Sequence, residues 1–241
     1  MNWIILYIIS FLLIIAVLGF GVLINSQARV CFHGHKDEQN SKGLMGKEFS
    51  EKLFAHNKLR NISFVTLNAK KTNYYSAKYN VIKVAPGVAE SSFLFDLALC
   101  AKCTNQATKQ QYNYITATLK LLLSAFVKFM YIAFIPIVLI CSILNITLGL
   151  EKISFIIVLV SIICYALAFI IQIIMHFIDQ STVNKITKNI EKLELFDEKE
   201  LKTLEILIST LNKFEFFETT RLSLRLFTFM SPGTIFDKNQ R

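Results

Sequence analysis

At 241 residues with 54% hydrophobic side chains and a mean hydropathy of +0.48, the chain is too apolar for an ordinary soluble domain, whose apolar share is about 45–50% with glycine counted. Its formal charge is +9, but the basic residues form neither arginine-rich runs nor stretches interleaved with aromatics. That pattern excludes a nucleic-acid footprint and points to membrane topology as the meaning of the charge.

Taken in order, Trp3 to Asn25 is an uncharged apolar run of 23 residues, long enough to cross a hydrocarbon core of roughly 30 Å at about 1.5 Å per residue. Met1-Asn2 carries no side-chain charge and the run is too long for a cleavable signal, so an uncleaved anchor is expected. Cys31, His33 and His35 follow, as a juxtamembrane linker or, less economically, a small metal site. Leu44 or Met45, Phe49, Leu53 and Phe54 recur near helical spacing, and Asn57-Lys58 closes that helix. Ile62–Leu67 and Tyr79–Val84 read as short strands, with a polar turn at Ser76-Ala77-Lys78. Glu90–Ala107 reads as one helical stretch.

Tyr114–Lys128 is amphipathic and is expected at the interface or docked on the polar part of the chain. Two further spans are predicted at Phe129–Leu150, broken by Pro136 and Asn145, and at Ile153 to Ile178, with Glu151-Lys152 as a tight hairpin turn. Asn212–Leu222 carries four charges, Lys213, Glu215, Glu218 and Arg221. Each costs about 2.5–3.5 kcal/mol at the centre of a bilayer, so an amphipathic helix that caps the cytosolic domain or lies on the bilayer surface is expected rather than a fourth span.

Between Ser26 and Lys120 there are 14 Lys plus Arg against 6 Asp plus Glu, whereas the N-terminus and the hairpin turn are nearly uncharged. Basic loops stay inside. The expected topology is N-terminus out, a cytoplasmic segment, a hairpin crossing out and back, and a cytoplasmic tail in the cell membrane. The corresponding segments are an anchor at 1–25, a cytosolic domain at 26–120, a transmembrane hairpin at 121–180 and C-terminal helices at 181–241.

The five cysteines, 31, 100, 103, 141 and 164, are scattered, two of them inside spans, and give no disulfide framework. Cys100-Ala101-Lys102-Cys103 is a Cys-x-x-Cys pair that can chelate metal or cycle through a disulfide. It lacks both a second ligand pair and a thioredoxin-like context, so a structural role is the simpler reading. His176, at the end of an apolar helix, is read first as an interfacial residue and second as a ligand or relay. Asn61-Ile62-Ser63 and Asn145-Ile146-Thr147 match glycosylation acceptors in unsuitable places. There is no phosphate-binding glycine loop and no nucleophile elbow.

Glu90-Ser91-Ser92 leading through Leu99-Cys100-Ala101-Lys102-Cys103-Thr104, with Gly43-Leu44-Met45-Gly46-Lys47-Glu48 before it and Leu195-Phe196-Asp197-Glu198-Lys199-Glu200-Leu201 after it, resembles the bacterial family of membrane-bound neutral zinc metallopeptidases. In that family the central helix carries Ala-Ala-His-Glu-x-Gly-His-Ala. Two histidines four residues apart hold zinc from one helix face, and the glutamate is the general base for the metal-bound water. The register puts Cys100 at the first histidine, Ala101 at the glutamate and Thr104 at the second histidine. A third ligand, a glutamate near the end of a later transmembrane helix, falls at Phe177, or at His176 or Asp179 if the register slips.

The resemblance implies an α+β membrane protein: three transmembrane helices and a small zincin-like cytosolic domain. It also implies that the family's zinc is lost together with the base. The expected function is that of a catalytically inactive homologue holding a peptide or membrane partner, for instance by β-augmentation along Tyr79–Val84. Two alternatives stand beside it: a peptidase using Cys100, Cys103 and His176 as replacement ligands, and a structural subunit of a membrane assembly.

Overall fold

The first apolar run meets no proline, and the polar residues after it are compatible with helix, so nothing stops propagation at the end of the span. In the computed structural model, which describes residues 3–68 and 73–224, helix α1 accordingly runs from Trp3 to His35. The Cys31–His35 segment, expected as a linker, is its last turns. The same continuity corrects a second boundary: the amphipathic Tyr114–Lys128 stretch runs unbroken into the span as the start of α5 (Tyr114–Leu148), which carries Pro136 internally, and its part up to Leu123 groups with the polar part of the chain, one of the two places expected for it. Helix α6 (Glu151–Glu191) likewise continues beyond the apolar run that ends at Ile178. The hairpin turn lies at Gly149-Leu150 rather than at Glu151-Lys152. Gly149 closes α5 with a positive φ of 62° and donates its N–H to the Asn145 carbonyl, a left-handed ending that suits glycine. The Met1-Asn2 start and the end of the predicted 181–241 segment lie outside the described residues.

One compact unit comprises, among the described residues, those up to Leu23, Ser124–Gln172 and those from Phe216 to Leu224. Its helices present large apolar side chains outward: Ile4, Phe11, Leu12, Leu139, Ile143, Ile153, Ile156 and Ile163 are all at least half exposed. Continuous exposed apolar surface on this scale is what a bilayer covers. Polar groups turn inward instead. Tyr7 donates to Ser142 Oγ at 2.7 Å, Tyr131 to Gln172 Oε1, and Gln172 Nε2 to the Phe216 carbonyl at 2.9 Å. Aromatic rings interlock beside them, with Phe134 stacked on Tyr165 at 4.3 Å and Trp3 edge-on to Phe155 at 5.8 Å. Such interhelical hydrogen bonds are a means of association where burial of apolar surface offers none.

The other unit comprises Ile24–Leu123 and Ile173–Glu215. It contains α2 (Gly46–His56), three short strands, β1 (Ser63–Thr66), β2 (Tyr74–Ser76) and β3 (Val81–Val84), then the one-turn α3 (Pro86–Ala89) and α4 (Leu94–Tyr112). Strand β3 lies between the others, parallel to β1 and antiparallel to β2. That placement corrects the docking edge expected at Tyr79–Val84: the backbone of β3 is committed on both sides, and the open edges belong to β1 and β2. Strand β2, unforeseen because it is only three residues long, ends where the predicted polar turn begins.

Helix α4 is the axis of this unit. Leu94 through Ala101 are all buried, the mark of a helix enclosed on every side rather than amphipathic. It starts at Leu94, not Glu90. Ser91 and Ser92 are taken by other contacts: Ser91 Oγ accepts the Phe93 N–H at 3.2 Å, and the Ser92 carbonyl accepts both the backbone N–H and Nδ2 of Asn40. Around α4 gather Phe49 and Leu53 of α2, Ile82 and Val84 of β3, Val183, Ile186 and Ile190 of α6, and the first part of α7 (Glu198–Thr220). Helix α7 thus takes the first of the two places expected for its charged end, packed against this unit rather than laid on a bilayer surface. Leu204, Leu207, Ile208, Leu211 and Phe214 are buried, while Glu215 and Lys202 point outward.

Candidate active-site helix

Cys100, Ala101 and Thr104 sit on α4 where a zinc helix would carry its ligands and base. Spacing alone would let positions 100 and 104 share a face, and they do, but that face is filled by protein. Gly46 at the start of α2 approaches so closely that a Cβ built there would stand 3.2 Å from Cys100 Sγ and 2.4 Å from the Val88 carbonyl. Ser50, one turn along α2, interacts with the same thiol. Cys100 is 1% exposed, and burial pushes its thiol up to about 12 against the partial help of Ser50. Thr104 is equally buried, and its hydroxyl donates to the Cys100 carbonyl at 2.9 Å. The hydroxyl is thus spent on the helix's own backbone, a common use of threonine inside a helix.

Ala101 faces a crevice shared with Leu53, Asn57, Thr104, Asn105, Thr108, Ile186 and Asn189. Its cavity volume is about 10 Å³, the space of roughly one water molecule. An alanine methyl there accepts no proton. Cys103 points into the core and burial pushes its thiol up to about 12 as well. A thiol held neutral in this way is a poor nucleophile and a poor metal ligand at neutral pH, because both chemistries use the thiolate.

The remaining candidates lie apart from this face. Phe177 is 66% exposed and lines a groove that contains none of the α4 positions. Asp179, the slipped-register alternative, is bound instead: Lys120 pairs with its carboxylate and Asn212 Nδ2 donates to its carbonyl at 3.2 Å. The His176 ring lies tilted at 56° to that of Phe177, ring centroids 6.2 Å apart. Among the described residues, no three His, Cys, Asp or Glu side chains group closely enough to hold a metal ion, the Cys31–His35 cluster included. His35 instead bonds Glu38 at 2.8 Å, which helps hold that carboxyl below its usual range. The donor set at the motif positions, one sealed thiol, one methyl and one back-bonded hydroxyl, does not fit zinc.

Two groups in this region were not singled out from the sequence. Asp96, one turn before Cys100, is 2% exposed with Oδ2 unpartnered. Its place in the first turn of α4 offers the compensation that helix N-termini give to carboxylates. Lys102, inside the motif, pairs with Glu215 of α7 at 2.8 Å. The i, i+4 spacing of Asp96 and Cys100 was a visible signal for the first; nothing local marks the second, whose partner is 113 residues away.

Comparison with curated proteins and with solved structures finds no match to either. The sequence does match a family, the one described as "Putative neutral zinc metallopeptidase", over residues 9–210. A match over most of the chain, running from the first apolar helix through α4 into α7, establishes membership: this protein belongs to the putative neutral zinc metallopeptidase family.

Proposed function

We propose that the chain is a membrane-anchored, catalytically inactive member of this family that acts by holding a peptide segment of a partner. The carrying observation is the packing of Cys100 against Gly46 and Ser50, with Ala101 in the place of the general base. Hydrolysis needs a metal-activated water and a group to take its proton; the motif positions supply neither. The positive charge between residues 26 and 120 supports a cytoplasmic side for the segments that build the α4 unit, with residues 1–25 and 121–180 supplying three membrane crossings and 181–241 returning on the cytoplasmic side. The zincin-like character assigned to residues 26–120 rests on the family and on the order of a small sheet before a central helix.

The open edge of β1 is the supported docking line. Ser63 and Leu67 donate their N–H groups to the Asn80 and Val84 carbonyls, so by strand alternation those of Phe64 and Thr66 point away from β3. An added strand finds two donors there.

Two assays on the full chain in mild detergent test the reading. No cleavage of casein or of a peptide library that chelator abolishes is expected. A peptide selected for binding is expected to lose affinity about tenfold in Thr66→Pro, which removes one outward N–H, in line with the loss of one or two ladder hydrogen bonds. Chelator-sensitive cleavage that disappears with Cys100→Ser would instead establish the replacement-ligand peptidase.

A further inference from the structure

A groove of about 560 Å³ runs between α6 and α7, with Cys31 of α1 at its side. The two helices are antiparallel here, as the pairs Gln180–Ser209 and Asp179–Asn212 show. Phe177 and Lys213 therefore lie at one end, Gln180 and Ser209 in the middle, and Asn184 and Glu205 at the other. Lys213 and Glu205, both half-buried, make no hydrogen bond or ion pair among the described residues. Gln180 Nε2 donates to Ser209 Oγ, which leaves its Oε1 buried without a partner. An unpaired cation, an unpaired carboxylate and an unfilled carbonyl oxygen in one concave site are the counterpart of a ligand carrying an anion and a protonated amine.

The position of the groove along the chain says where such a ligand comes from. Gln180 to Asn184 lie two to six residues past Ile178, where the apolar run of α6 ends, which is about 3–9 Å along the helix. Cys31 lies six residues past Asn25, where the apolar run of α1 ends, again about 9 Å. The polar headgroup layer of one leaflet is roughly 5–7 Å deep. Along α6 the groove's membrane end, from Phe177 to Gln180, thus falls within that layer, and Cys31 lies about 2–4 Å beyond it, so the groove opens across the boundary between headgroups and water with the exposed Phe177 ring at its membrane end. The order of charges matches too: Lys213 stands nearer the apolar runs and Glu205 about 12 Å farther along α7.

From these features we infer that the groove binds the headgroup of an amine-bearing zwitterionic phospholipid of the phosphatidylethanolamine type. The phosphate meets Lys213, the ammonium reaches Gln180 Oε1 and Glu205, and the acyl chains leave past Phe177. The inference does not depend on the α4 positions or on peptide binding.

The test is native mass spectrometry of the full chain in mild detergent, titrated with phosphatidylethanolamine or phosphatidylcholine. One saturable lipid adduct is expected, with the ethanolamine lipid preferred at least threefold because a trimethylated amine cannot donate hydrogen bonds. Lys213→Gln should weaken both lipids about tenfold, as expected for loss of a charge-assisted contact to phosphate, and Lys213→Arg should restore binding. Glu205→Gln should abolish the preference while leaving phosphatidylcholine binding intact. Absence of a single saturable adduct, or equal adducts in wild type and Lys213→Gln, would overturn the site. Displacement of the lipid by an equal concentration of free phosphoethanolamine would overturn the lipid as its source, and an unchanged preference in Glu205→Gln would overturn the seat of the amine.

Discussion

The motif face of α4 and the groove between α6 and α7 are built on opposite rules. At Cys100, Ala101 and Thr104 every polar atom is absorbed by the protein and glycine is required opposite for backbone and thiol to fit. In the groove, charges stand without partners around open volume. Membership in a metallopeptidase family directs attention to the first region, yet the unpaired charges that border open volume belong to the second. The lesson is that a motif's location and the location of available chemistry are separate questions, and that packing answers the second.

The comparison breaks most visibly if the α4 face tolerates change. Leu97 is fully buried at the heart of the unit, and Leu97→Ala should destabilise by about 2–5 kcal/mol through lost burial and a cavity. Chemical denaturation of the detergent-solubilised chain measures it, and a change below about 0.5 kcal/mol, as found at surface sites, would mean that the core is not as described. Gly46→Ala should follow, at about 1–3 kcal/mol, because its new methyl meets the Val88 backbone as well as the thiol. If Gly46→Ala were neutral, the space opposite Cys100 would be larger than the packing implies and a ligand there would become feasible.

The sealed thiols give a pH-dependent version of the same contrast. Both have folded pKa values raised to about 12 from an ordinary value near 9. The folded state thus holds their protons more tightly than the unfolded state. Their stabilising contribution is complete below about pH 9 and is lost as pH climbs through the folded values. A melting temperature that falls between pH 9 and 11, and falls less in Cys100→Ala/Cys103→Ala, is the expected result. At pH 8 a maleimide should label Cys31, which lines the groove, well before Cys100 or Cys103, as read by peptide mapping. Rapid modification of Cys100 would contradict the sealed face.

The smallest effect belongs on the surface. Lys52 and Glu48 pair at 2.9 Å across one turn of α2 with both side chains about half exposed. Glu48→Gln should shift stability by no more than about 0.5 kcal/mol and less in high salt. A larger loss would show that α2 depends on its outer face more than on Phe49 and Leu53.

Much of this was readable from local sequence. The apolar runs, the α2 pattern closed at Asn57, and β1 and β3 within a residue or two follow from composition and periodicity, as does the central place of the Glu90–Ala107 stretch. Long-range decisions were not readable. Nothing in the sequence near Tyr79–Val84 says that β3 will be central, because that depends on Tyr74–Ser76 folding back beside it. The charges of Asn212–Leu222 left open whether that helix caps the α4 unit or lies on a bilayer, and the burial of Phe214, with Leu211 just before it, decides for the first. At the motif, the identities of Cys100, Ala101 and Thr104 revealed the missing base and ligands, but the closeness of Gly46 and the back-bonding of Thr104 exist only once α2 and α4 meet. The groove was invisible for the same reason: Lys213 and Gln180 are ordinary residues until two antiparallel helices bring them together.

Zinc stoichiometry is the most direct test of the claim that the motif face is not a metal site. The full chain, purified in mild detergent without added metal, then offered zinc and desalted, should carry far less than one equivalent, unchanged by Cys100→Ser or Cys103→Ser. Near one zinc per chain, lost on either substitution, would contradict the account and return the α4 face to metal chemistry.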